Sequence, residues 1–155
     1  SGGTSINENF IDYISSQGPQ WTFHILGDSQ RLSTVSNLHF HGKLNDPQDI
    51  LAKCCIVIGN AGHNTVMECA SLNKRFIAIA EKRPFEEQEE KARIIEELAL
   101  AVHVPASKIL RVDWNEILEN LLTTRPNWKG FISSDATERA ANYLVHTHRT
   151  LFQHD

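Results

Sequence analysis

The stretch Cys54-Cys55-Ile56-Val57-Ile58-Gly59-Asn60-Ala61-Gly62-His63-Asn64-Thr65-Val66-Met67-Glu68 passes from a short apolar run into small polar residues and then into helix-period sequence. Such a run reads as a strand covered on both faces, and the small polar residues after it as a strand-to-helix turn. The pattern recurs along the chain. Trp21–Leu26, Leu38–His41, Cys54–Ile58, Phe76–Ala80 and Ala101–Val104 are the candidate strands, with helix-period segments between them. Repeated βα units of this kind predict an α/β domain with a doubly wound parallel sheet.

Helix starts are marked by side chains able to accept from orphan backbone N–H groups. These are Ser5 with Glu8, Asp46 followed by Pro47, Asp113 with Glu116, and Asp135 with Glu138. The segment Glu86–Ala99 sets Ala92, Ile95, Leu98 and Ala99 on one face, with Glu and Lys elsewhere, as in a helix covering a sheet. At the front, Ser1-Gly2-Gly3-Thr4 precedes the first helix with no strand before it, although a βα unit begins with one. The expectation is a single domain over residues 1–155 that lacks its first strand.

The 155 residues and 17.5 kDa suit one domain, and a fold of this size buries roughly 70% of its unfolded surface. With 41% hydrophobic and 22% charged residues, the composition is globular and fits no disordered or collagenous profile. Lys plus Arg number 15 against 19 Asp plus Glu, a net charge of -4, so the overall field repels phosphate backbones and disfavours nucleic acid as a partner. Cys54, Cys55 and Cys69, in apolar company, read as buried thiols of a reducing compartment. No apolar run reaches the ~18 residues of a membrane span, and the expected location is cytoplasmic.

The turn Gly59–His63 carries the chemistry. At the carboxyl end of a parallel strand it exposes backbone N–H groups and a positive helix terminus, and Gly62 leaves room for an anionic group to approach. Asn64 and Thr65 add amide and hydroxyl donors, and Glu68, one turn further on, offers a carboxylate to sugar hydroxyls. A plainer assignment stays open at this point, with Asn64 or Thr65 an N-cap, Gly62 a turn glycine and Glu68 a solvated helix residue. Among the 8 histidines, His39 and His41 share one strand face with no cysteine or carboxylate at ligand spacing, so no metal site is expected. The glycine strings of nicotinamide-binding folds and P-loops are missing.

From Gly59 through Gln88 the chain resembles the donor-site signature of GT-B glycosyltransferases, which are built from two Rossmann-like domains. In those families a strand leads to a glycine-containing turn, Asn-Ser/Thr, two apolar residues and Glu, then a second strand and a loop ending in Asp/Glu-x-Gln. Here the counterparts are Gly62, Asn64-Thr65-Val66-Met67-Glu68, Phe76–Ala80 and Glu86-Glu87-Gln88. Ser134–Asn142 is similar to the closing helix of the bacterial peptidoglycan-precursor N-acetylglucosaminyltransferase family, glycosyltransferase family 28. Gly2-Gly3-Thr4 resembles its glycine-rich loop after the first strand. Asn60 stands where plant and animal relatives carry His, Asn73-Lys74-Arg75 where Gly-Lys-Pro is usual, and Ala80 where Pro is common.

The resemblance implies a donor-binding C-terminal domain of an inverting, metal-independent transferase that moves a hexosyl group from a UDP-sugar. Glu68 would hold the ribose, Gly2, Gly3, Thr4, Gly62, His63, Asn64 and Thr65 would surround the diphosphate, and Asn60 would be a further substrate-binding residue. The Leu44 backbone would pair with the base, and Glu87 and Gln88 would meet the transferred sugar. None of these is a catalytic residue; the general base comes from an N-terminal acceptor domain, absent here, in the same or a partner chain. That half would also carry any peripheral membrane association, and the chain alone is expected to bind but scarcely catalyse. A nucleotide-sugar hydrolase, a 2-epimerase and a non-catalytic nucleotide-binding or assembly domain are the alternatives.

Overall fold

The computed structural model describes residues 5–27, 29, 31–81 and 87–132, the side chains of Glu87, Phe131 and Ile132 excepted. In chain order the elements are α1 (Glu8–Gln17), β1 (Phe23–Leu26), β2 (Leu38–Gly42), α2 (Gln48–Lys53), β3 (Ile56–Asn60), α3 (His63–Ser71), β4 (Arg75–Ala80), α4 (Glu87–Glu97), β5 (Ala101–Pro105), α5 (Trp114–Leu122) and α6 (Trp128–Ile132). Every ladder is parallel: β1 with β2, β3 with β4, and β4 with β5. The five strands form two sheets, a pair β1-β2 and a triplet β3-β4-β5.

β4 explains the layering. Its side chains alternate, Phe76, Ala78 and Ala80 entering one apolar cluster and Ile77 and Ile79 the other. The first cluster is roofed by Leu51 of α2, Val66, Cys69 and Ala70 of α3, Ala92 and Ile95 of α4, and Trp128 of α6. The second is roofed by Phe10 and Ile14 of α1 and by Trp114, Leu118 and Leu121 of α5. Phe10 and Trp114 meet edge to face at 5.1 Å between ring centroids. Helices thus cover both faces of a parallel sheet, the doubly wound α/β layout expected from the sequence.

All five expected strands are present, with shifted bounds. The third begins at Ile56 instead of Cys54, because the Cys54 N–H closes α2 on Ile50 and Leu51 while its carbonyl accepts from Lys74 Nζ at 2.7 Å. Trp21 is held in a turn by its bond to the Gly18 carbonyl, so β1 begins two residues later. Asp113 caps α5 by accepting from Glu116 N, as its spacing predicts. α1 is capped by Asn7, which accepts from Phe10 N, and not by Ser5. In α4, Ala92 and Ile95 are buried, but Leu98 falls beyond the helix and is exposed, since Ala99 turns the chain at φ 54° and hands the buried place to Leu100. The Asp135 cap and Ser134–Asn142 lie outside the described residues.

Candidate functional site

β3 delivers Gly59 and Asn60 to the carboxyl end of the triplet, and Ala61, fully buried, anchors the turn into α3. Gly62 is the N-cap of α3, extended at φ -73°, and its carbonyl accepts the first helical bond, from Val66 N at 3.1 Å. Among the described residues no side chain caps this helix, and its first turn carries no acidic residue. The orphan N–H groups of a first turn are therefore left to solvent or ligand, and the terminus keeps its partial positive charge.

Two glycines shape the turn differently. A Cβ on Gly59 would stand 3.0 Å from Thr65 Cγ2 and 3.7 Å from Phe76 Cε2, so glycine lets α3 close on the end of β3 without Thr65 having to give way. A Cβ on Gly62 would meet nothing within 4 Å, and its φ suits any residue; its bare backbone leaves the space before the helix open.

His63 and Asn64 are exposed and Thr65 half-buried at this terminus. Val66 and Cys69 point into the first cluster, leaving half-buried Glu68 between them in the helix, with no hydrogen-bond partner for its carboxylate among the described residues. Asn60 is half-buried, and its Oδ1 is enclosed without a hydrogen bond. Leu44 lies in the loop after β2, more than a third exposed. Glu87 opens α4, and Gly2, Gly3 and Thr4 lie outside the described residues.

Gln88 is placed by a bond the sequence did not disclose. Its Oε1 accepts from Glu81 N at 3.1 Å. Glu81 follows β4 directly, is 7% exposed, and accepts with Oε1 from Ser5 N at 2.8 Å and with Oε2 from Ser5 Oγ at 2.9 Å. Since Asn60 pairs with Ile79, this network sits one to two residues beyond the last rung of the β3-β4 ladder, beside the Gly62 turn. A glutamate abutting an apolar strand was the available signal, and nothing in spacing tied it to Ser5.

The histidines of the strand pair stack instead of converging. His24 packs on His39 and on His41, both at 5.2 Å between centroids, and His24 Nδ1 lies 2.9 Å from His41 Nε2. Partial burial, and then the neighbouring His41 and His39, lower the His24 pKa below its usual value. No group of three or more His, Cys, Asp or Glu able to hold a metal ion occurs among the described residues. The cysteines are free, but Cys55 is exposed and Cys54 half-buried, so only Cys69 fits the expected buried thiol. Burial pushes the Cys69 thiol up to about 12. No helix among the described residues is long and apolar enough to cross a membrane.

Comparison with known proteins is consistent with this architecture. Among solved structures, the glycotransferase of kitacinnamycin matches with a TM-score of 0.59 and 14% identity, over 90% of this chain and 35% of its own. The spinosyn forosaminyltransferase SpnP matches with a TM-score of 0.50 and 8% identity, over 82% of this chain and 37% of its own. At these identities the likeness establishes the α/β, Rossmann-like fold, and the chain spans 35% and 37% of the two structures. No curated protein sequence matches. The description of the glycosyltransferase family 28 C-terminal domain matches residues 6–141, nearly the whole length, and the chain belongs to that family.

Proposed function

We propose that this domain binds the nucleotide-sugar donor of a hexosyltransferase, a UDP-sugar, with the diphosphate against the N-terminus of α3 and the ribose on Glu68. The observation that carries the reading is the uncapped α3 terminus, open above Gly62, at the carboxyl end of β3. Family membership supplies the chemistry class, and the enclosed, unpaired Asn60 Oδ1 beside the turn is a free acceptor for a ligand N–H or hydroxyl.

In this reading His63, Asn64 and Thr65 surround the diphosphate with Gly2, Gly3 and Thr4, Leu44 offers its backbone to the base, and Glu87 and Gln88 meet the hexose. Gln88 offers its amide N–H₂ for that purpose, since among the described residues its engaged atom is Oε1, which accepts from Glu81 N. The domain orients the donor and stabilises the departing diphosphate with backbone dipoles, and a second domain brings the acceptor and the base. Helix N–H groups neutralise the diphosphate in this scheme, so binding needs no divalent ion. Titration calorimetry with UDP, with and without EDTA, tests it: equal affinity in both is expected. Binding seen only with magnesium or manganese overturns the ion-free scheme, and no binding by the folded chain overturns the donor-site reading.

A further inference from the structure

Among the described residues Glu81 is the one buried charged side chain. It follows β4 at the position in step with Ile77 and Ile79, so it leaves the strand on the face that α1 covers. An apolar residue there would prolong the second cluster, whereas a carboxylate taken out of water is costly unless its oxygens are engaged. Both are, by Ser5 N and Ser5 Oγ, and no cation among the described residues pairs with them. Two directed bonds to one serine thus stand where undirected packing would serve stability.

Those bonds fix more than Ser5. Asn7, the cap of α1, donates its N–H to the Ser5 carbonyl at 3.0 Å, so the carboxylate ties the start of α1 to the end of β4. The Glu81 N–H donates to Gln88 Oε1, which ties the first turn of α4 to the same residue. A side chain held at both oxygens cannot swing, and the N–H of its own backbone keeps one heading. With Oε1 committed to that N–H, the Gln88 amide has one orientation, its N–H₂ on the side away from Glu81 N. The α3 terminus is set separately, by the close approach of Gly59 of β3 to Thr65.

We infer that Glu81 is a positioning residue for the transferred sugar: it aims Gln88 and leaves the nucleotide to α3 and Glu68. The inference rests on the donor-site reading and divides that site between two strands. β3 carries the residues that meet the nucleotide, β4 carries through Glu81 the one that meets the sugar, and the rung between Asn60 and Ile79 holds the two at a fixed spacing. A change at Glu81 therefore alters hexose recognition and leaves nucleotide recognition intact.

The test is calorimetry on the 155-residue chain with UDP and with UDP-glucose, UDP-galactose and UDP-N-acetylglucosamine, taking for each variant the ratio of the tightest UDP-hexose affinity to the UDP affinity. Glu81→Leu, which keeps the apolar layer filled, lowers that ratio roughly tenfold or more, with UDP affinity within about twofold of wild type. Glu81→Gln, which can still accept from Ser5 N and donate to Ser5 Oγ, keeps the ratio within about threefold. Gln88→Ala lowers it as Glu81→Leu does, and the double variant falls no further, because the first residue acts through the second. An unchanged ratio in folded Glu81→Leu overturns the inference, as does an equal loss of UDP and UDP-hexose affinity, the mark of a residue that only supports the fold. Additive losses in the double variant, or a wild type that binds UDP but none of the three sugars, also overturn it. If Glu81→Leu does not fold, Ser5→Ala, which removes one of the two bonds, takes its place, with a fall of about threefold expected and an unchanged ratio overturning the inference. Absence of UDP binding by the folded wild type overturns the donor-site reading itself.

Discussion

Glu68 and its neighbour Cys69 sit in adjacent positions of α3 and face different surroundings. A ribose-holding carboxylate contributes charge-assisted hydrogen bonds worth about 1.5–3 kcal/mol. Glu68→Ala is therefore expected to weaken UDP binding by roughly ten- to hundredfold at little cost in stability, with Glu68→Gln between the two, as calorimetry and urea unfolding report. Wild-type affinity in both variants would make Glu68 a solvated helix residue. Cys69 is 1% exposed and its thiol holds its proton to about 12, against an unfolded value of 9.0. The folded state thus keeps a proton that the unfolded chain loses. The resulting stability is whole below pH 9 and declines between pH 9 and 12 by up to about 1.4 kcal/mol per unit. Urea midpoints against pH should show this slope in the wild type and a shallower one in Cys69→Ala. The sequence marked Glu68 by its spacing after Asn64 and Cys69 by its apolar company. It did not mark Glu81, because a carboxylate after an apolar strand looks the same whether solvated or gripping Ser5 from 76 positions away.

At the scale of elements, the approach of β3 to α3 rests on Gly59, and the access above α3 rests on Gly62. Gly59→Val drives a branched side chain into Thr65 Cγ2 and Phe76, and a loss of 1–3 kcal/mol, about the cost of overpacking, is expected in urea unfolding. Gly62→Val meets no atom and needs no unusual backbone, so stability holds to within about 0.5 kcal/mol while UDP affinity falls at least tenfold. Equal behaviour of the two variants would contradict this division of labour. Strand existence and order of elements were legible because apolar runs punctuated by turn residues have one reading. Bounds were not, since Cys54 and Cys55 look like strand but are drawn to α2 and Lys74 by hydrogen bonds that only the tertiary arrangement creates. Capping misled in the same way: Ser5 and Asn7 are equally good caps by type, and Glu81 takes the first of them away.

For the whole molecule, the proposed function divides the chemistry between this domain and a second one, and the chain spans 35% and 37% of its two structural relatives. On that proposal, which assigns the general base to the acceptor domain, the 155-residue chain is expected to turn over UDP-hexose at less than a hundredth of the rate of a protein that also contains such a domain. Product assays on both check this, and comparable rates would move the catalytic group into the present chain. The parallel, two-faced architecture was readable from the unbroken apolar character of the strands. The split into a pair and a triplet was not, because the apolar runs of β1 and β3 read alike whether or not the two strands pair.

Trp128 has no exposed surface, donates from its indole to the Lys74 carbonyl at 2.7 Å, and donates its backbone N–H at 3.1 Å to the Oδ1 of Asn73, the residue that turns α3 into β4 at φ 49°. It completes a layer whose other members all lie between Leu26 and Ala101. During synthesis, the ribosome therefore exposes that layer long before it supplies the lid. A nascent chain arrested short of residue 128 holds β3, α3, β4 and α4 in hand with their shared surface still wet. That layer stays open on one side until the indole arrives.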